Sequence, residues 1–441
     1  MARLVSTVKA WAKARLHWPG VRTAVRLLVR DDWRRNLLFL DSDLRRKVPA
    51  PLSLPQGVRV NVTGLCNLRC DFCEIHYFYD HAKRVAGKLH RNDLDVSQIR
   101  RWPWLRYVQR FSFETSCGEP FLNPNMPVII RYLRALSPRI VLTTTTNGTL
   151  LGPDINETLV QQRFNHVSIS LHAGTAAVYR DLLKGNFERI LENIRDLVRR
   201  RREHGVSCPM VSLNFNINRY NASSISDFLK LAKALGVDHV LLYHYYHARN
   251  RLTGAASFLD NPAEANRIMR ESYDLARKLG VRTVPESPPV VRGLQEGRDN
   301  GDDGAVCEQP WRNVQFPACL EEEQTHFFGV CNRINLFKIR LDQCPRPFDL
   351  RQLWRHPILQ YLRKTVNAKG RNPICRFCRN RGTPALRCVD TEEYSRQRDR
   401  AIRSYFDEAR RVVGRTPDLA GIKVLDRNPY EYDPDEWPLT R

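Results

Sequence analysis

The chain has 441 residues, with 71 Lys and Arg against 47 Asp and Glu and a formal net charge of +24. Hydrophobic residues make up 42% and charged residues 27%, as in folded soluble proteins, which excludes collagen-like and disordered classes. No run of about 18 apolar residues occurs, so we expect neither a membrane span nor a signal segment. The 12 cysteines, many at short spacings, favour metal ligation in a reducing compartment, so we expect a cytoplasmic protein.

The first 57 residues read as a basic, amphipathic N-terminal extension. Residues 1–50 carry 12 Lys or Arg and 4 Asp. Apolar residues such as Trp11, Leu16, Val21 and Val25 recur among the arginines, which predicts an amphipathic helix. Such a helix either lies on an anionic membrane surface or acidic partner, or packs on the folded domain with its charges solvated.

Strand-like and helix-like segments then alternate from residue 58 to residue 284, which predicts six βα units and a parallel sheet. The predicted strands cover residues 58–63, 111–113, 140–143, 167–171, 211–215 and 239–243. The predicted helices cover residues 125–136, 154–163, 186–203 and 222–236. The predicted fold is α/β, a partial (β/α)6 TIM-type barrel with a cysteine-rich C-terminal domain.

Three further segments complete the predicted organisation. Residues 285–304 are rich in Pro, Gly and Asp, which indicates a linker. Residues 305–390 contain seven cysteines and predict a cysteine-organised domain. Residues 391–441 form a charged, helical tail.

The first barrel strand runs into three cysteines, Cys66, Cys70 and Cys73, on one predicted loop. Thiolates select iron–sulfur clusters or zinc, and three of them leave one metal position open. A four-iron cluster would present its fourth iron to a ligand. A structural zinc would need a fourth ligand, for which His76 is the candidate, and buried unligated thiols are the third alternative.

Phe72 stands directly before the third cysteine. The pattern C-x3-C-x2-C with this aromatic resembles the radical S-adenosylmethionine (SAM) superfamily. The resemblance implies that Cys66, Cys70 and Cys73 hold a [4Fe–4S] cluster whose open iron binds SAM through its amino and carboxylate groups. It also implies one-electron cleavage of SAM to a 5′-deoxyadenosyl radical, which removes a hydrogen atom from an organic substrate.

Later strand ends carry motifs similar to those of this superfamily. Ser116-Cys117-Gly118-Glu119-Pro120 resembles its G-G-E-P segment, which implies that Cys117, Gly118 and Glu119 meet the SAM amino group. The alternative is an ordinary strand-end turn with Glu119 as a cap.

Asn147 lies in a T-N-G turn like that of the superfamily, and Ser168 and Ser170 are candidate SAM contacts on the fourth strand, Ser170 for the ribose. Asn214 and Asn216 share one face of the fifth strand, which places both toward a site if that face is inward. His172 stands where many relatives have Asp; a lone histidine there is more often structural than catalytic.

The C-terminal cysteines resemble the SPASM and twitch extensions of this superfamily, which carry auxiliary iron–sulfur clusters. Our assignment for one cluster is Cys307, Cys331, Cys375 and Cys378. The remaining thiols, Cys319, Cys344 and Cys388, form a partial second site or pack without a metal. The C-x2-C pair departs from the full pattern, because only Cys388 follows it. Structural zinc is the alternative.

The expected activity is therefore radical SAM chemistry on a small biosynthetic metabolite of the sugar or cyclitol class, with maturation of a ribosomally made peptide or a protein as the alternative. A flavodoxin or ferredoxin is the expected electron donor. A different class is a basic, metal-bearing nucleic-acid-binding protein using Arg199–Arg202 and Arg45–Lys47. The residue that completes the reaction is unassigned; the candidates by position are Tyr77, Tyr79, Tyr243, His244 and Tyr245.

Overall fold

A computed structural model provides the architecture. It describes residues 16, 18–73, 75–113, 118–245, 247–248, 255–258, 260–290, 306–331, 334–368, 372–376, 390–414 and 419–426. Within them, no helix is both long and apolar enough to cross a membrane.

The strands are β1 (Gly57–Val60), β2 (Arg110–Ser112), β3 (Val141–Thr146), β4 (His166–Ser170), β5 (Met210–Ile217), β6 (His239–His244), β7 (His247–Ala248), β8 (Thr283–Val284), β9 (Asn313–Phe316), β10 (Thr325–Cys331), β11 (Ile334–Arg340), β12 (Asp390–Thr391) and β13 (Ile422–Val424). The α-helices are α1 (Pro19–Leu28), α2 (Asp32–Arg46), α3 (Ile75–Ala86), α4 (Val96–Arg100), α5 (Met126–Leu136), α6 (Pro153–Gln161), α7 (Ala176–Leu183), α8 (Phe187–Glu203), α9 (Ile225–Leu235), α10 (Pro262–Leu279), α11 (Gln309–Arg312), α12 (Leu350–Trp354), α13 (Pro357–Thr365), α14 (Pro373–Arg376) and α15 (Glu392–Val413). Short 3₁₀ helices cover Pro103–Tyr107, Pro120–Leu122 and Ala222–Ser224.

The barrel sheet is parallel from β1 to β6, with the strands in chain order and β8 beyond β6. Helices α5, α6, α8 and α9 lie in the connections between consecutive strands, as parallel pairing requires. The α/β partial barrel predicted from the sequence is confirmed. All six predicted strands are present, with ends shifted by up to three residues.

The alternation of β4 separates a helix-facing side from an interior side. A side chain at Gly148 would touch both Ile169 of β4 and Ile190 of α8, so Ile169 faces the helix layer. Ser168 and Ser170 therefore face the barrel interior, because neighbouring strand residues point to opposite sides. Asn214 pairs with Ser170 in register and lies on the same side.

The cysteine-bearing C-terminal region extends this sheet. Strand β9 pairs with β1 in parallel, and β10, β11 and β13 follow in antiparallel order. Phe316 of β9 stacks on Trp102 at 5.2 Å between ring centroids and meets Phe328 of β10 edge-on at 5.3 Å. The barrel and the C-terminal strands thus share one hydrophobic core.

The two N-terminal helices differ in how they meet the domain. Helix α2 buries Phe39 and Asn36, and its Asp43 carboxylate accepts hydrogen bonds from the backbone and hydroxyl of Ser53. Helix α1 has no buried residue, and Leu27 and Leu28 on it are exposed. Helix α2 therefore packs on the folded domain, which is the second of the two arrangements that the sequence allowed. Helix α1 instead presents apolar residues to solvent.

Candidate active site

The three N-terminal cysteines lie on the loop between β1 and α3, at the carboxyl edge of the parallel sheet, where barrel enzymes place their sites. The N–H of Cys73 donates to the carbonyl of Cys70 at 3.0 Å, which makes a tight turn. The N–H of Asp71 donates to the carbonyl of Leu182 on α7 at 3.0 Å, so the loop is fixed to the barrel.

The thiols of this loop are close enough to influence one another's ionisation. Burial raises the pKa of Cys70 far above its usual range, and negative charge at Cys73 and Cys66 raises it further. Burial also raises the pKa of Cys66, with a smaller contribution from the Glu119 carboxylate. Three thiolates can exist together here only with a positive partner, which a metal cluster supplies by displacing the thiol protons.

The donor set of this loop fits an iron–sulfur cluster. Among the described residues, no three His, Cys, Asp or Glu side chains surround a single-ion position. Three thiols on one loop suit a four-iron cluster, in which each thiolate binds a different iron. The side chain of His76, the candidate fourth zinc ligand, lies outside the described part of the chain.

Glu119 is buried, with 2% of its surface exposed, and its carboxylate is held by three protein donors. Oε1 accepts from the Thr146 hydroxyl at 2.6 Å and from the backbone of Phe121 at 3.2 Å, and Oε2 accepts from the backbone of Asn147 at 2.7 Å. Burial raises its pKa to about 7, against the lowering effect of these bonds. Glu119 thus joins the turn after β2 to the turn after β3, and the bond to Phe121 is the cap that the sequence offered as an alternative.

Asn147 connects the T-N-G turn to the cysteine loop. Its Nδ2 donates to Asn67 Oδ1 at 2.8 Å and lies 3.8 Å from Cys66 Sγ. Thr149 closes the ring: its hydroxyl donates to Asn147 Oδ1 at 2.7 Å and accepts from Asn67 Nδ2 at 2.9 Å. The sequence reading missed Asn67 and Thr149. Asn67 follows Cys66 and Thr149 follows the T-N-G turn, which could have pointed to both residues. Their hydrogen-bond partners could not be predicted from the spacing of residues in the sequence.

Gly118 has a backbone conformation and a close neighbour that only glycine accommodates. Its φ is +88°, and a Cβ would lie 2.4 Å from the carbonyl oxygen of Thr63. The N–H of Glu119 donates to the carbonyl of Leu65 at 2.8 Å, so this segment lies against the approach to the cysteine loop. Cys117 lies outside the described residues.

Polar side chains form a chain across the barrel interior. The Ser168 hydroxyl donates to Asn214 Oδ1 at 2.9 Å and accepts from the Ser212 hydroxyl at 3.1 Å. Nε2 of His166 lies 2.8 Å from the Ser212 hydroxyl. Ser168 and Asn214 are both buried and bonded to each other, whereas Ser170 is partly exposed. Ser168, Ser170 and Asn214 thus face the barrel interior, and their contact with SAM stays a prediction.

Asn216 offers an unused acceptor at the same end of the barrel. Its Oδ1 is buried and has no hydrogen-bond partner among the described residues. Its backbone N–H donates to Nδ1 of His172 at 3.0 Å. Burial lowers the pKa of His172 to about 4, so the ring is neutral at physiological pH. His172 therefore acts structurally, and the side chain of Asn216 can still bind a ligand.

Phe72 is held between two rings beside the cysteine loop. It meets His172 edge-on at 5.4 Å and Tyr245 edge-on at 5.6 Å between centroids. The Tyr245 hydroxyl donates to the Phe72 carbonyl at 2.8 Å. Tyr245, a candidate by position for completing the reaction, thus orients the residue next to Cys73.

The other positional candidates have different surroundings. Tyr79 packs near Ala318 and Leu320, and Tyr243 lies on the interior side of β6, in register with Asn216. His244 is buried, and neither of its ring nitrogens has a hydrogen-bond partner among the described residues. The side chain of Tyr77 lies outside the described residues.

Two of the auxiliary-cluster cysteines that the structure describes, Cys307 and Cys375, lie in one neighbourhood. Cys331 packs against the main core instead. Cys375 packs with Trp311 in a small cluster that Cys307 also contacts. Cys331 ends β10, where its carbonyl accepts from Gln315 Nε2 at 2.5 Å, and β10 contacts α11, the helix just after Cys307. Cys378, the fourth member of the predicted set, lies outside the described residues, as does Cys388.

Cys319 and Cys344 are surrounded by different groups. The Cys319 thiol is 3.0 Å from Glu321 Oε2, and the Cys344 thiol is 3.9 Å from the Gly421 carbonyl. Burial raises the pKa of Cys344 to about 11, which keeps it a thiol. This is the packed-thiol arrangement that the sequence allowed as one alternative for these two residues.

Comparison with known proteins identifies the family. Residues 60–232, which contain the cysteine loop, Glu119, Asn147 and Asn216, match the model of the radical SAM superfamily. This part of the chain is a radical SAM domain. It contains the cysteine loop at the carboxyl edge of the barrel.

The chain is similar in sequence to enzymes whose names indicate different reactions. A probable GTP 3′,8-cyclase of Saccharolobus islandicus is 25% identical over 194 residues, which cover 42% of this chain and 56% of that protein. Pre-heme d1 synthase of Dinoroseobacter shibae is 28% identical over 280 residues, 61% of this chain and 62% of that protein. This chain thus spans 56% to 62% of the length of these relatives.

A solved structure shares the fold. SuiB of Streptococcus suis bound to S-adenosylmethionine aligns with a TM-score of 0.50 at 14% identity, covering 75% of this chain and 69% of SuiB. The coverage of this chain exceeds the length of the barrel, so the likeness in fold extends beyond residues 58–284.

Proposed function

We propose that this radical SAM protein cleaves SAM reductively and abstracts a hydrogen atom from a small biosynthetic metabolite of the sugar or cyclitol class. The observation that carries the proposal is the contact of Asn147 in the T-N-G turn with Asn67 and Cys66 of the cysteine loop, beside a polar barrel interior. When bound, a [4Fe–4S] cluster and SAM supply an electron and a 5′-deoxyadenosyl radical, which takes the hydrogen atom.

The residues of the chain then have distinct roles. Cys66, Cys70 and Cys73 would hold the cluster. Glu119 fixes the Asn147 turn through the backbone, and its Oε2, which accepts one protein bond, keeps a lone pair for the SAM ammonium. Asn216 would accept a hydrogen bond from SAM or substrate through its unpartnered Oδ1.

The polar interior favours a hydroxylated metabolite as the substrate. Ser170 and Asn216 offer a hydroxyl and an amide on the inward side of adjacent strands, and such groups orient polyhydroxylated ligands by hydrogen bonds. The two sequence relatives are named for small molecules, GTP and pre-heme d1, which favours a small metabolite over a peptide. Maturation of a peptide is the alternative.

The nucleic-acid-binding alternative is weakened by ion pairing in the arginine run of α8. Arg199 pairs with Asp196 at 2.6 Å and with Glu203 at 2.7 Å. Arg200 pairs with Glu157 at 2.6 Å, and Arg201 pairs with Asp238. Charges that are already paired within the chain attract phosphates less.

We further propose one auxiliary cluster, held by Cys307, Cys331, Cys375 and Cys378. The shared surroundings of Cys307 and Cys375 support placing these two thiols in one set. Cys375→Ala should lower iron from about eight to about four per chain. Cys344→Ala should leave iron unchanged, and equal iron in both variants would contradict the assignment.

The substrate class is tested by isotope transfer. Anaerobic, reduced enzyme is incubated with SAM, a flavodoxin or ferredoxin as electron donor, and pools of deuterated sugars and cyclitols. Deuterium in 5′-deoxyadenosine identifies the substrate that lost the atom. Transfer from a deuterated peptide pool and not from the metabolites would favour the peptide alternative instead.

A further inference from the structure

A cavity of about 350 Å³ lies at the opposite edge of the sheet from the cysteine loop. Leu54, just before β1, and Tyr107, just before β2, line it, and both precede the amino ends of their strands. Cys66 follows the carboxyl end of β1. The cavity is therefore separate from the radical SAM site and is not explained by the proposed reaction.

The walls of this cavity are held in place by one buried amide. Asn36 of α2 donates through Nδ2 to the carbonyls of Leu54 at 3.1 Å and Tyr107 at 3.2 Å. Its Oδ1 accepts from the N–H of Leu54 at 2.7 Å. Asn36 thus holds α2 against both segments, and these bonds fix the walls of the cavity before a ligand binds.

Arginines on or next to three helices line the cavity. Arg26 of α1, Arg351 of α12 and Arg355, directly after α12, line it together with Arg35. Arg35 is already partnered, by Asp32 and by the carbonyl of Val29 at 3.2 Å.

The remaining guanidiniums are close enough to repel one another. Loss of contact with water lowers the pKa of Arg355 below its usual range, and the charge of Arg351 lowers it further. Arg22 and Arg26 act in the same direction, whereas Asp43 opposes them. Three positive groups therefore lie close to Arg355, and two of them, Arg26 and Arg351, line the cavity with it.

These charges are poorly compensated within the chain. Among the described residues, no carboxylate forms an ion pair with Arg22, Arg26 or Arg355, and Arg351 reaches Asp349 only at 4.0 Å. Arg355 Nε donates to the Pro51 carbonyl at 3.0 Å, which satisfies one donor but leaves the charge uncompensated. Guanidiniums that line one cavity without a facing carboxylate favour the binding of an anion there.

The floor of the cavity is apolar. Phe39, Leu52 and Leu54 line it, and the Arg351 guanidinium lies 5.4 Å from the centroid of the Tyr107 ring. A ligand that fits has an anionic end facing the arginines and an apolar or aromatic body over the floor. A volume of about 350 Å³ falls within the range of small-molecule sites.

We infer that this cavity binds a small organic phosphate, with its phosphate on Arg26, Arg351 and Arg355 and its apolar body against Phe39 and Leu54. A phosphate monoester is a dianion with three terminal oxygens, so it can accept from guanidiniums on several segments at once. A carboxylate has two oxygens and one charge, and it would leave more of these donors unpartnered.

The test is calorimetric titration of the full chain with phenyl phosphate, compared with inorganic phosphate, benzoate and phenol. Phenyl phosphate should bind saturably and more tightly than the other three, because only it has both the dianion and the ring. Arg26→Gln and Arg351→Gln should each weaken binding about tenfold or more, as expected for charge-assisted hydrogen bonds. Both residues are exposed on their helices, so folding should be retained.

Two controls isolate the cavity from other positive charge and from the radical site. Arg189→Gln, an exposed arginine on α8, makes the same charge change and should leave affinity unchanged. The triple variant Cys66/Cys70/Cys73→Ala should bind phenyl phosphate like the wild type, whatever the outcome for SAM cleavage. No saturable binding, wild-type affinity in both arginine variants, or tighter binding of benzoate would overturn the inference.

Discussion

The Glu119 carboxylate accepts the backbone N–H of Asn147 at 2.7 Å, and this bond joins the turns that follow two neighbouring barrel strands. Asn147 in turn lies 3.8 Å from the Cys66 sulfur. The buried Glu119 carboxylate therefore positions the turn that contacts the cysteine loop, through one bond to the backbone of Asn147.

Glu119→Gln should damage this connection. The amide has one acceptor oxygen in place of two, so in either orientation a donor from Thr146, Phe121 or Asn147 faces an NH2 group. We expect a loss of about 1–3 kcal/mol in the free energy of unfolding. We also expect lower 5′-deoxyadenosine yield with iron content unchanged, measured near pH 8, where the carboxylate of the wild type is ionised. Wild-type stability and yield would show that the bond is dispensable.

Gly118→Ala should destabilise the protein more than Gly205→Ala does. Both glycines have positive φ, +88° and +62°, so both alanines carry the cost of left-handed backbone. Only Gly118 has a neighbour in the way, the Thr63 carbonyl at 2.4 Å, whereas Gly205 has none within 4 Å. The excess loss for Gly118→Ala should be about 1–3 kcal/mol in urea unfolding. Equal losses in the two variants would contradict the close approach.

His172 predicts an acid-sensitive contribution to stability. Its pKa is lowered from 6.5 to about 4 by burial, so the folded protein resists protonation that the unfolded chain accepts. This contribution is complete above about pH 6.5 and is lost as the pH falls toward 4, by at most about 1.4 kcal/mol per pH unit. Protonation would also remove the acceptor for the Asn216 N–H.

The matched variant is His172→Asn, because Asn tolerates the φ of +51° and keeps an acceptor without titrating. The stability of the wild type relative to this variant should fall between pH 6.5 and 4, as measured by chemical unfolding at several pH values. Parallel curves for the two proteins would refute the assignment of this pH dependence to His172.

Comparison of Tyr245→Phe with Tyr405→Phe tests whether the Tyr245 hydroxyl affects the cysteine loop in addition to the stability of the fold. Each removes a buried hydroxyl that donates to a carbonyl, of Phe72 at 2.8 Å and of Ile358 at 2.7 Å. Both should cost about 1 kcal/mol of stability. Only Tyr245→Phe should lower SAM cleavage, because Phe72 adjoins Cys73 whereas Ile358 lies on α13. The account fails here if both variants cleave SAM equally well.

The sequence predicted the elements that carry a periodic or local signal. The β-branched run at 58–63 predicted the first strand, and the alternation in the fifth strand placed Asn214 and Asn216 on one face. The cysteine spacing gave the loop after the first strand. These features depend on residues close together in the chain, so pattern alone was sufficient.

Long-range arrangements could not be predicted in the same way. Nothing local shows that β9 pairs with β1, so the C-terminal region was expected as a separate unit although it shares the barrel sheet. The same holds for the hydrogen bonds of Glu119. One of its donors, Phe121, follows β2, whereas Thr146 and Asn147 lie at the end of β3. Arg355 and Arg22 are more than 300 residues apart, and only the folded chain brings their charges together.

The most direct test of the account compares wild type, Cys66/Cys70/Cys73→Ala and Cys208→Ala after anaerobic reconstitution. Cys208 is a partly exposed cysteine between α8 and β5, away from both cysteine groups, and serves as the control. Iron and sulfide are measured first, then 5′-deoxyadenosine formed from SAM after reduction. The account predicts that the triple variant loses about four irons per chain and all SAM cleavage, while Cys208→Ala matches the wild type. Zinc in place of iron, or SAM cleavage by the triple variant, would contradict it.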